Sequence, residues 1–138
     1  MTTPPTTFDS TALPWRRVLV YGLGVSGRAA ARLLRRRGVA VVGFDERELP
    51  ADARSELESL AVELRFGTPY ELPADVEAVV ISPGVPGDRP LLEEARRRQI
   101  EILGEVELAW RCLPPDFGRL VAITGSNGKS TTTALTGE

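Results

Sequence analysis

Residues 18–34 read VLVYGLGVSGRAAARLL: a short apolar run, a loop with glycine at 22, 24 and 27, then alanines and leucines at helical spacing. An unbroken apolar run that ends in glycine is what a strand buried on both faces of a parallel sheet looks like. In a strand that turns directly into a helix, each glycine of the G-x-G-x-x-G pattern has its own physical use. Gly22 allows the tight turn, Gly24 lets backbone approach a diphosphate, and Gly27 lets helix pack closely on strand. The free amides at the start of such a helix favour an anion. Asp45 ends the next apolar run about 18 residues on, where a carboxylate can accept hydrogen bonds from a ribose or a base. A purely packing role for the three glycines stays open. So does the ligand, because NAD and a UDP-sugar both present a diphosphate beside a ribose.

Reading outward, VAVVGFDE is a second strand, DARSELESL a helix, VELRFG and VEAVVIS two more strands, RPLLEEARRRQ a helix, IEIL a strand and GEVELAWRCL a helix. Gly38 stops the first helix. Strands alternate with helices throughout, and parallel strands need crossover connections. The predicted fold is therefore α/β, a Rossmann-like doubly wound parallel sheet of about five strands. Residues 1–14, rich in Thr and Pro, are expected to be a flexible lead-in. Residues 15–113 form the Rossmann-like domain, PPDFG at 114–118 the linker, and 119–138 the start of a second domain. Ser82, Pro83 and Gly84 follow the fourth strand at the ligand-binding edge of such folds. They either shape that turn or let backbone approach a ligand; the residues leave both open.

The second domain begins with VAITGSNGKST, again strand, loop and helix start. Gly125 and Gly128 allow the backbone to curl its amides toward phosphate oxygens. Lys129, the only lysine beside sixteen arginines, can reach the β- and γ-phosphates, and the Ser130 hydroxyl can hold magnesium. Ile123 stands where the full P-loop pattern has its first glycine, so this is a shorter variant.

Composition excludes several classes. A net charge of −2 gives no broad basic surface for nucleic acid. With one cysteine and no histidine, there is no internal disulfide and no zinc set. No apolar stretch reaches membrane-spanning length and the start has no signal-peptide character, so a cytoplasmic location without membrane or nucleic-acid partners is expected. The arginine triplets 35–37 and 96–98 fall at helix ends, where positive charge complements the helix dipole and is readily solvated. Trp110 and Cys112 are read as packing residues of the last helix.

Three motifs in this order and spacing, VLVYGLGVSGRAAARLL, ISPGVPGDRPLLEEARRRQIEILGEVELAWR and VAITGSNGKSTTTAL, resemble the Mur ligases of peptidoglycan synthesis, most closely the branch that adds D-glutamate. The resemblance runs from about Arg17 to the end. It implies that the first domain binds the UDP part of UDP-N-acetylmuramoyl-L-alanine without a redox cofactor. Gly24, Val25 and Ser26 would line the diphosphate and uridine region, Asp45 and Glu46 the uracil end, and Gly84 the same site. It gives Gly125, Ser126, Asn127, Gly128, Lys129, Ser130 and Thr131 to ATP, with Lys129 catalytic and Ser130 on Mg2+. The implied reaction phosphorylates the precursor's carboxylate to an acyl phosphate that the amine of D-glutamate attacks. The remainder of the ATPase domain and the amino-acid-binding domain of such ligases have no counterpart here, so the chain is expected to be an inactive amino-terminal fragment, acting as a monomer. The competing readings are a nicotinamide-dependent oxidoreductase domain, which has no use for the second loop, and a non-catalytic UDP-sugar-binding module.

Overall fold

The structure is a computed structural model that describes residues 12–68 and 70–118. Residues 1–11 of the lead-in expected at 1–14, the strand expected at RLVAIT and the phosphate loop expected at Gly125–Thr131 lie outside those residues.

The described chain runs β1 (Arg17–Tyr21), α1 (Val25–Arg36), β2 (Ala40–Asp45), α2 (Ala51–Ser59), β3 (Glu63–Phe66), β4 (Ala78–Ile81), α3 (Pro90–Arg97), β5 (Glu101–Gly104), α4 (Glu105–Arg111). The strands form one sheet in the order β3-β2-β1-β4-β5, every pair parallel. Strand β1 is central, with Leu19 opposite both Val42 and Val79. This explains its unbroken apolar run, since successive side chains point to opposite faces and both faces are covered.

Val18, Val20, Val41, Val80 and Leu103 point to one face, where they pack with Ala30, Ala31 and Leu34 of α1, Leu57 of α2 and Leu108 of α4. Leu19, Tyr21, Val42, Phe44 and Val79 point to the other, against Leu91, Leu92 and Ala95 of α3. The sheet is doubly wound, as predicted. Helix α1 ends as its sequence suggests: Gly38 adopts φ +77°, and the amides of Gly38 and Val39 donate back to the carbonyls of Arg35 and Leu34.

Three expectations need correction. The alternation of strand and helix fails between β3 and β4, where the described residues of 67–77 form no helix. This segment must carry the chain from the sheet edge back to its centre. Leu72 and Val76 bury on the second face with Tyr70 packed beside them, covering the area a crossover helix would cover. The arginine triplets do lie at helix ends, but several of their side chains brace neighbouring backbone instead of merely being solvated. Arg35 donates to the carbonyls of Leu60 and Val39, Arg37 to that of Cys112, and Arg98 to those of Leu72 and Pro73. Finally, Cys112 is buried but Trp110 is 48% exposed. Leu108 and Cys112, four apart, share the inward stripe of the last helix, and a residue two positions from either points away from it.

Candidate functional site

Strand order reverses at β1, where β2 lies on one side and β4 on the other. Connections leave the carboxyl ends of β1 and β4 toward opposite faces, α1 on the first and α3 on the second. The gap between them is the usual ligand position in open α/β sheets. A cleft of about 450 Å³ opens there, lined by Tyr21, Gly22, Gly24 and Ser26 from the first loop, Asp45, Glu46 and Arg47 from the second, and Ser82–Pro86 with Arg89 from the third. That is within the range of small-molecule sites.

The first loop is fixed by packing at two of its three glycines. Gly22 has φ +91°, and a Cβ there would stand 2.9 Å from Ser82 Cβ. A Cβ on Gly27 would fall 1.8 Å from the Gly22 carbonyl oxygen. Gly24, the residue preceding α1, is different: a Cβ there would meet nothing within 4 Å. Gly84, across the cleft, is equally unobstructed. Packing therefore accounts for Gly22 and Gly27 but gives no reason for Gly24 or Gly84.

Asp45 braces the loops. Its Oδ2 accepts the Leu23 amide at 2.8 Å and its Oδ1 the Arg47 amide at 3.0 Å. Ser82 ties the third loop to the first, its Oγ lying 3.0 Å from the Gly22 carbonyl oxygen and 2.7 Å from Glu105 Oε1 at the start of α4. Glu46 Oε1 accepts the Tyr21 hydroxyl at 2.6 Å and stands 3.0 Å from Arg89 Nε. Burial, and then the hydrogen bond to Glu46, push the Tyr21 hydroxyl well above the ordinary tyrosine range. The phenol is held as a neutral donor.

Of the residues expected from sequence, Gly24, Ser26, Asp45, Glu46 and Gly84 converge on this one cleft. Val25 does not line it. It is 80% exposed and borders the neighbouring groove toward the start of α2. Tyr21, Arg47 and Arg89 were missed. Tyr21 reads as a core residue because only its ring is apolar, and Arg89 resembles the other helix-end arginines until the third loop carries it to the cleft. Arg47 alone left a local signal, two residues after Asp45. Among the described residues no group of three or more Cys, Asp or Glu side chains is placed to hold a metal ion, and Lys129 and Ser130 lie outside them.

A family model described as Mur ligase MurD-like, N-terminal domain, matches residues 16–104. The chain belongs to this family. It is 50% identical over 121 residues to a UDP-N-acetylmuramoylalanine--D-glutamate ligase of Synechococcus sp. (strain JA-3-3Ab), covering 86% of this chain and 25% of that protein. It is 43% identical over 131 residues to the ligase of the same name from Thermoanaerobacter pseudethanolicus, covering 91% of this chain and 28% of the relative. The chain thus spans about a quarter of the length of these curated relatives. Among solved structures, the UDP-N-acetylmuramate-alanine ligase MurC of Thermotoga maritima superposes with a TM-score of 0.62 at 25% identity, over 88% of this chain and 28% of that one. The match to the MurD-like domain spans all five strands and the three loops that line the cleft.

Proposed function

We propose that this MurD-like domain binds the UDP part of UDP-N-acetylmuramoyl-L-alanine in the cleft at the carboxyl edge of the sheet, within a cytoplasmic ligase that joins D-glutamate to that precursor. The observation that carries the reading is the convergence of Gly24, Ser26, Asp45, Glu46 and Gly84 on one cleft of about 450 Å³, in a chain of the MurD-like family. The amides at the start of α1 take the diphosphate, where the helix dipole and unpaired N–H groups favour negative charge. Gly24, having no side chain, lets the diphosphate reach them. The uracil end lies toward Glu46 and Gly84. Asp45, with both oxygens engaged by backbone amides, holds the loops in register.

In the whole ligase, Gly125–Thr131 would serve ATP, with Lys129 on the β- and γ-phosphates and Ser130 on magnesium, which supply the phosphoryl group and neutralise its charge. That assignment rests on sequence, and the UDP cleft does not depend on it.

Calorimetric titration of the chain with UDP, UDP-N-acetylmuramoyl-L-alanine and NADH tests the reading. Binding of both uridine compounds, with NADH much weaker, is expected. Tight NADH binding with no response to either uridine compound would overturn it. Lys129→Ala is expected to leave precursor affinity unchanged in the same titration, and a large loss would mean that the two glycine loops have been given each other's ligands.

A further inference from the structure

Strands β1, β4 and β5 end level with one another: Tyr21 is opposite Ile81, and Ile81 is opposite Gly104. The next residue of each, Gly22, Ser82 and Glu105, stands in one row just past the sheet, and side chains join that row where the ladder stops. Ser82 Oγ lies 3.0 Å from the Gly22 carbonyl oxygen on one side and 2.7 Å from Glu105 Oε1 on the other.

Ser82 is wedged against the glycine loop. A Cβ on Gly22 would stand 2.9 Å from Ser82 Cβ, and a Cβ on Gly27 would stand 3.0 Å from Ser82 Oγ. Two glycines of the motif thus leave room for this one side chain, which sets the third loop against the first. The spacing of the two loops is the width of the cleft, since Gly24 and Ser26 line it from one loop and Pro83 and Gly84 from the other. A serine hydroxyl rotates freely and has a single proton, here with two acceptors in reach. A carboxylate takes that proton in preference to a carbonyl, because hydrogen bonds to charged groups are the stronger. Glu105 therefore fixes which way the hydroxyl points.

Glu105 does not line the main cleft. It is half-buried at the start of α4, beside the apolar groove between α1 and α4. An acid in the first turn of a helix has a simple use, which is to complement the helix dipole. Glu107 also serves that use, and it pairs with Arg111. Glu105 is the one turned toward the loops, and among the described residues Ser82 is its only partner. We propose that Glu105 is a positioning residue for the ligand of the cleft: through Ser82 it holds the first and third loops at the spacing that the diphosphate needs. Its charge and its reach then act in opposite directions. A carboxylate near a diphosphate repels it, so removing the charge alone strengthens binding, whereas releasing Ser82 weakens it.

The inference rests on the uridine reading of the cleft, and one set of titrations separates the two. UDP is titrated into the wild-type chain, Glu105→Gln, Glu105→Asp, Ser82→Ala and the double variant Glu105→Asp with Ser82→Ala, with thermal melts to verify folding. Gln keeps the reach and an oxygen acceptor but loses the charge. Asp keeps the charge and its place at the helix start but is one methylene too short. Affinity is expected to follow reach: Glu105→Asp weakens UDP by about fivefold, roughly the worth of one hydrogen bond. Glu105→Gln stays within about twofold of wild type or binds more tightly. In the Ser82→Ala background Glu105→Asp should have no further effect. The reverse order, with Gln weakened and Asp like wild type, would overturn the proposal. So would equal affinities throughout, or a loss in Asp that persists without the Ser82 hydroxyl. Each of these leaves the uridine reading standing, because UDP still binds. A wild-type chain that binds no UDP overturns that reading, and this inference with it.

Discussion

Gly22, Gly24 and Gly84 line the cleft and Gly27 stands beside it in the first turn of α1, yet the four fall into two pairs held for opposite reasons. Gly22 and Gly27 are demanded by the protein: one has a positive φ, the other sits where any Cβ would strike a carbonyl oxygen, and each would crowd its neighbours. Gly24 and Gly84 are demanded by nothing within 4 Å. A residue type that folding does not require, facing a cleft, has its explanation in what enters the cleft. One sequence motif thus combines two kinds of constraint, and stability and binding measurements should pull them apart.

The largest effect belongs to Gly27→Ala. With its Cβ placed 1.8 Å from the Gly22 carbonyl oxygen, α1 must lift from the loop, at a cost of about 3 kcal/mol or more. Denaturant unfolding checks this, and a melt like that of wild type would erase the distinction between the two pairs. Gly22→Ala comes next. The left-handed backbone and the approach to Ser82 together should cost about 2 kcal/mol of stability, read in the same way.

Gly24→Ala should reverse the pattern. Its stability is expected to stay within about 0.5 kcal/mol of wild type. UDP affinity should fall about tenfold, or about 1.4 kcal/mol, as the methyl group keeps the diphosphate from the α1 amides. A loss of stability without loss of affinity would place Gly24 with Gly22 and Gly27.

The smallest effect lies at Tyr21, where the packed interior meets the cleft. Its proton is held more tightly in the folded state than at the ordinary value of 10.0. The associated stability is therefore fully present below that pH and is lost as pH rises above it, because the unfolded chain ionises first. The slope is about 1.4 kcal/mol per pH unit for one proton. Tyr21→Phe should cost about 1 kcal/mol at neutral pH for the lost hydrogen bond and should flatten the alkaline fall by one proton. Urea unfolding from pH 9 to 11 measures both, and an unchanged alkaline slope would show that Tyr21 is not held as a buried neutral donor.

Much of this architecture is legible along the chain because its causes are local. The apolar run of β1, the small residues of α1 and the stop at Gly38 each follow from the residues themselves. The failed alternation between β3 and β4 is not local. A helix is one way to cover the second face, and Leu72 and Val76 in an irregular segment are another. Nor does the one-dimensional pattern distinguish Arg89 from Arg98, both of which flank α3. One borders the cleft and the other braces the carbonyls of Leu72 and Pro73.

The sequence by itself determined the strands and helices, the parallel doubly wound sheet, the glycine loop and most of the residues that meet at its mouth, because periodicity and turn chemistry act over a few residues. Only the tertiary structure decided which glycines the packing needs, that Asp45 holds backbone amides, and that Tyr21, Glu46 and Arg89 share one wall. Most of those depend on contacts between segments 22 to 60 residues apart in the chain, such as the pairs Leu23–Asp45, Tyr21–Glu46 and Gly22–Ser82, and on a sheet order that brings their ends together.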